Sequence, residues 1–163
     1  MSQPLPNSTW CYVCGKDNPL GLHIVFRTDG ETVTADFTGD DARLGYPGKV
    51  HGGVLSALLD ETMGWAPTLR TRRMCVTAEL TVRFLKPAPA GQPLRVTGRC
   101  VDTERRLFTT EGEIVVVATG DVVARGNGKY APLSETETAA VDRLLLYQPD
   151  TLRLFGPGQG PAA

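Results

Sequence analysis

Leu22, Ile24 and Phe26, and then Val33, Ala35 and Phe37, recur at every second position on either side of Asp29-Gly30. Alternation flanking a dipeptide that favours positive φ predicts two strands joined by a tight turn. From Asp40 to Val50 the text DDARLGYPGKV is a loop by its glycines and proline. The period then changes. In GGVLSALLDETMGW the residues Val54, Leu55, Leu58, Leu59 and Thr62 recur at steps of three and four, which predicts a helix from about Gly53 to Trp65 that stops at Pro67.

Further alternation predicts a strand over Val76 to Lys86, with Val76, Ala78, Leu80, Val82 and Phe84 on one face. Two more β stretches follow, Leu94 to Val101 and Leu107 to Tyr130, the latter a hairpin turning at Thr119-Gly120-Asp121. One apolar helix followed by strands, with no second helix between them, predicts an α+β domain: an antiparallel sheet packed on that helix. Residues 1–10 lack apolar periodicity and read as a flexible arm, and the domain itself is expected over 11–133. In the 134–163 extension, Ser134 precedes Glu137 at capping-box spacing, which predicts a short helix, and the final GPGQGPAA is expected to be a mobile tail.

With 163 residues, 41% of them hydrophobic, the chain can bury one core and is too short for two typical domains. Its formal charge of -1 creates no field that favours nucleic acid or an anionic membrane. No apolar run approaches the ~20 residues of a membrane span. Four cysteines, Cys11, Cys14, Cys75 and Cys100, are too few for a disulfide scaffold, which points to a reducing, cytoplasmic setting. Cys11 and Cys14 resemble half of a zinc site, but no second cysteine pair is present, so no metal is expected.

The helix concentrates the chemistry. Ser56 and Asp60 share a face one turn apart, whereas Glu61 is rotated by about 100°. A carboxylate among Leu58, Leu59, Met63 and Trp65 borders apolar surface, where desolvation raises its reactivity. Glu61 reads as an ordinary acid on a solvated helix edge. At the helix start, Gly52 and Gly53 leave backbone N–H groups open to a close-approaching oxygen, the requirement for polarising a carbonyl.

The segments CYVCGKDNPLGLHIVF, GYPGKV, HGGVLSALLDE, TVRFLKPAPAG and GDVVARGNGKY resemble hotdog-fold acyl-CoA thioesterases, nearest to the phenylacetyl-CoA and 4-hydroxybenzoyl-CoA type. The resemblance spans about Cys11 to Pro132 and implies a sheet wrapped around a central helix. It also implies hydrolysis of an acyl-CoA thioester to a carboxylic acid and free coenzyme A. In that family an acid nine residues after the motif histidine is catalytic, here Asp60 after His51, as nucleophile or general base. The glycine after the histidine, here Gly52, polarises the thioester. Substrate-binding candidates are His51, Gly53, Ser56, Thr77, Arg83 and Lys86, with Arg105 and Arg106 as further cations for the coenzyme A phosphates. No cofactor beyond the substrate is implied.

His51 also suits a purely loop-ordering role, and Ser56 lacks the G-x-S-x-G elbow of a serine hydrolase. Gly52 and Asp60 are about 12 Å apart along one helix, too far for a single carbonyl to touch both. Antiparallel helices across a two-fold axis would bring one chain's Asp60 beside the other's Gly52. The expectation is therefore a homodimer at minimum, and a homotetramer is compatible with it. The alternatives are an acyl-CoA-binding sensor, which would not need Asp60, and a hotdog hydratase or dehydratase, which would need a carboxylate and histidine pair.

Overall fold

The computed structural model describes residues 2–156. In chain order the short strands β1 (Gln3–Pro4), β2 (Asn7–Ser8) and β3 (Arg27–Thr28) precede β4 (Thr32–Thr38). A small hairpin, β5 (Leu44–Tyr46) and β6 (Lys49–Val50), leads into the long helix α1 (Gly52–Thr71). Four long strands follow, β7 (Cys75–Phe84), β8 (Pro93–Asp102), β9 (Phe108–Val116) and β10 (Val122–Pro132), and then α2 (Glu135–Asp142) and β11 (Leu145–Leu146). Seven strands form one antiparallel sheet in the order β1-β3-β4-β8-β9-β10-β7. This is the α+β class expected from the sequence, and α1 packs across β4, β7, β8, β9 and β10.

The helix lies unusually close to the sheet, and three glycines make this possible. Gly98, Gly112 and Gly126 sit opposite one another on β8, β9 and β10, a stripe of bare backbone across the sheet's centre. A Cβ on Gly98 would lie 2.9 Å from the Thr62 carbonyl oxygen, and one on Gly112 would lie 2.9 Å from Met63 Cγ. Above the stripe, Leu58, Leu59, Thr62 and Met63 are fully buried.

Helix α1 does not stop at Pro67 but runs to Thr71. Proline removes the donor to the Met63 carbonyl at a cost of about 3 kcal/mol. Burial of Trp65, Ala66 and Leu69 on the same turns offsets it, since each large apolar side chain buried contributes about 1.5–3 kcal/mol. Thr68 Oγ1 donates to the Gly64 carbonyl (3.3 Å) and Thr71 Oγ1 to that of Pro67 (2.8 Å). The helix ends instead at Arg72, whose left-handed backbone (φ 56°) directs its N–H to the Thr68 carbonyl.

Two other expectations change. Leu22, Ile24 and Phe26 alternate inward as predicted, but the ladder begins only at Arg27. The Leu22 and Ile24 N–H groups bond instead to the carbonyls of Tyr12 and Val13 (2.9 Å each), and His23 between them has φ 53°. Residues 1–10, read from the sequence as an arm, hold β1 and β2; Leu5 is buried and its N–H bonds to the Phe26 carbonyl (2.8 Å). β2 in turn pairs with β11, so both ends of the described chain clasp each other. The predicted capping box is present at α2, where Ser134 Oγ accepts from the Glu137 N–H and Glu137 Oε2 from the Ser134 N–H. The GPGQGPAA tail lies, from residue 157 onward, outside the described residues.

Substituting Gly98→Ala should destabilise the fold by about 1–3 kcal/mol, because the added methyl meets main chain rather than a movable side chain. A urea midpoint unchanged from that of the parent protein would show that α1 can retreat from the stripe freely.

Candidate functional site

Asp60 lies mid-way along α1, beyond the fully buried Leu58 and Leu59. Its carboxylate is held from two strands. Thr77 Oγ1 on β7 donates to Oδ1 at 2.8 Å. The Tyr130 hydroxyl on β10 lies 2.8 Å from the Asp60 main-chain carbonyl and 3.2 Å from Oδ1. Both contacts fall on Oδ1, and Oδ2 makes no hydrogen bond among the described residues. One carboxylate oxygen is therefore fixed and the other remains available. Burial pushes the Tyr130 hydroxyl well above its usual pKa, and the Asp60 charge adds to this, so it stays a donor.

A defect in β7 aims Thr77. Along the β7–β10 ladder Lys129 faces Glu79 but Tyr130 faces Thr77, so Ala78 is an extra, unpaired residue. Such a bulge shifts the alternation by one. Leu80 and Val82 pack against the core, and beyond the bulge the inward face passes to Thr77 and Cys75, leaving Val76 exposed. The predicted single face through Val76, Ala78, Leu80, Val82 and Phe84 therefore breaks at Ala78. Sequence reasoning missed Tyr130; the available signal was a tyrosine in phase with Ala124, Gly126 and Gly128 and alternating with the polar Arg125, Asn127 and Lys129, an inward position whose hydroxyl needs a partner once buried.

Asp60, Thr77 and Tyr130 line a cavity of about 250 Å³, together with Gly64, Trp65 and Met74. Glu61 lines it too. Burial, followed by hydrogen bonding to Cys11, pushes its carboxyl up to about 8. Glu61 is therefore not the solvated edge acid expected from the sequence. Its Oε2 lies 3.0 Å from Cys11 Sγ.

At the start of α1, His51 is the N-cap, and its Nδ1 accepts the Gly53 N–H at 2.9 Å. That is the loop-ordering role, and it occupies the Gly53 donor. The Gly52 N–H makes no hydrogen bond among the described residues, and the Phe84 ring flanks it, 3.3 Å from where a Cβ would stand. Ser56 Oγ donates to the Gly52 carbonyl at 3.0 Å. Arg83 and Lys86 are exposed and line no part of the Asp60 cavity; Lys86 pairs with Asp121. Arg105 and Arg106 meet Arg70, Arg72, Arg73 and Arg99 around a separate cavity of about 1130 Å³ at the far end of α1.

Residues 47–123 match the thioesterase superfamily. A solved thioesterase superfamily protein is 32% identical, with a TM-score of 0.68 over 74% of this chain; the chain spans 62% of that relative's length. The PaaI protein of the E. coli phenylacetic acid degradation operon is 24% identical (TM-score 0.62; 69% of this chain, 81% of that one). A Streptococcus mutans protein solved with acetyl CoA is 23% identical (TM-score 0.59; 64% and 82%). None of the curated proteins compared with the chain matches it. The chain is similar to the thioesterase superfamily in sequence over residues 47–123 and in its backbone, and its domain is a hotdog fold.

Tyr130→Phe should lower stability by about 1–3 kcal/mol, because it removes the hydroxyl from a part-buried main-chain carbonyl. Thr77→Ala, at an exposed position, should cost less. Urea denaturation of both variants gives the comparison, and equal losses would mean that the tyrosine contact adds nothing special.

Proposed function

We propose that the protein is a cytoplasmic thioesterase that hydrolyses an acyl-CoA to a carboxylic acid and free coenzyme A. The observation that carries this reading is Asp60: a carboxylate on a largely apolar helix, fixed through Oδ1 by Thr77 and Tyr130 and open at Oδ2. The acetyl CoA bound to the similar S. mutans protein supports the substrate class. Four free thiols suit a reducing compartment.

Two routes use the same atoms. Asp60 Oδ2 can attack the thioester carbonyl carbon; the C–S bond then breaks, thiolate departs, and water opens the acyl-aspartyl anhydride. Alternatively Oδ2 takes a proton from water as that water attacks, and the proton passes to the departing sulfur. In either route negative charge grows on the carbonyl oxygen. The Gly52 N–H, at the positive end of α1, is the donor suited to receive it.

The donor and the carboxylate are about 12 Å apart along α1. A complete site therefore takes Gly52 from one chain and Asp60 from a second, and the working unit is a homodimer or a tetramer built from it. β7 suits that arrangement. It is the outer strand of the sheet, its outer edge pairs with no strand among the described residues, and Val76 and Phe84 on it are more than half exposed.

Asp60→Asn should keep the fold and lower thioester turnover by ~10² or more, with Glu61→Gln having a much smaller effect. Hydrolysis measured across aromatic, short and medium acyl-CoAs tests this, and near-full activity of Asp60→Asn would sink the assignment. Mixing Asp60→Asn chains with chains carrying a bulky residue at Gly52 should restore about a quarter of parent activity, since half the dimers are mixed and each holds one intact site. No recovery despite demonstrated subunit exchange would mean that each chain carries a complete site.

A further inference from the structure

Outside the Asp60 constellation, one cluster has no role in the proposed hydrolysis. The CYVCG segment forms a tight turn in which the N–H groups of Val13 and Cys14 point at Cys11 Sγ, at 3.2 and 3.4 Å. The Gly15 N–H closes the turn on the Cys11 carbonyl at 2.9 Å. No other residue fits there, because a Cβ on Gly15 would lie 2.2 Å from that carbonyl oxygen. Backbone donors directed at a sulfur stabilise a thiolate, the form in which cysteine binds metal.

Onto this turn α1 brings a third donor. Cys11 Sγ, Cys14 Sγ and a Glu61 carboxylate oxygen all lie within 4.8 Å of one another. A tetrahedral zinc ion, with Zn–S of about 2.3 Å and Zn–O of about 2.1 Å, sets its ligands about 3.6 Å apart, so small side-chain adjustments suffice. Cys14 is buried, Cys11 and Glu61 are half-buried, and no ion pair among the described residues involves Glu61. Three acidic donors thus converge without a basic side chain to balance them, an arrangement that a cation satisfies.

We propose that Cys11 Sγ, Cys14 Sγ and Glu61 Oε2 form a binding site for a thiophilic divalent cation of the Zn2+ class. This reverses the expectation of no metal: the sequence held only one cysteine pair, and the third ligand lies fifty residues away on α1. Two thiolates favour zinc over magnesium or calcium, which take oxygen ligands. Binding releases the two thiol protons, and any proton on Glu61, to solvent. Three protein ligands leave a tetrahedral ion one position for water or a donor on a bound molecule. Cys14 and Glu61 line the Asp60 cavity, so the ion stands at its wall. The site does not depend on the chain being a thioesterase.

The test uses the full chain, reduced and stripped of metal by chelation, with Co2+ as the probe. One Co2+ per chain should bind with strong near-ultraviolet absorption from sulfur-to-metal charge transfer, and Zn2+ should displace it. Cys11→Ser and Cys14→Ser should abolish the band, and Glu61→Gln, which preserves shape, should weaken binding at least tenfold. Cys75→Ser and Cys100→Ser should retain it. No charge-transfer band in protein with four titratable thiols would overturn the site. A band that survives both Cys11→Ser and Cys14→Ser would do the same, and undiminished affinity in folded Glu61→Gln would remove the helix from it.

Discussion

The close approach of α1 to the sheet at Gly98, Gly112 and Gly126 is the constraint on which the rest of the structure depends. With no side chains at the crossing, main chain meets main chain at Thr62. Residues on either side of the crossing, Leu58 and Leu59 before it and Ala66 and Leu69 after it, then reach the sheet along nearly the whole helix. That depth of burial is also why the helix continues through Pro67, for the apolar surface covered beyond the proline outweighs one lost hydrogen bond.

A helix so deeply embedded leaves little room for charge, which gives its two adjacent acids separate fates. Asp60 emerges where β7 and β10 supply two hydroxyls, both of which meet Oδ1 and leave Oδ2 free among the described residues. Glu61, about 100° further round, turns towards the amino-terminal turn, where burial favours its protonated form and Cys11 is its partner. The same geometry that separates them puts both on the wall of one cavity. An extra residue at Ala78 completes the arrangement by turning Thr77 inward.

The ends of the chain matter more than their composition suggests. β1 extends the main sheet, β2 pairs with β11, and the Leu152 N–H reaches the Pro4 carbonyl at 2.8 Å. These contacts hold the CYVCG turn against α1. Asn7 Nδ2 helps to fix it, donating to the carbonyls of Cys14 (3.2 Å) and Ile24 (3.1 Å). The amino-terminal segment is thus part of the wall around the candidate site.

The sequence by itself determined the fold class, the long strands, the helix and its alignment with the His51-to-Asp60 motif, because these rest on periodicity and spacing within short windows. It also determined the capping box at Ser134, a purely local feature. What it could not carry were pairings between distant segments. Nothing within residues 1–10 announces that Leu5 will be buried, since its partners are Phe26 and the core. The bulge at Ala78 is invisible in a run of alternating apolar residues, because only the register against β10 reveals the extra residue. Tyr130 and Thr77 meet Asp60, and Glu61 meets Cys11, across separations of 17 to 70 positions. Those contacts exist only once α1 has settled onto the glycine stripe, since it is the packing of helix on sheet that sets which face of α1 each strand and turn can reach.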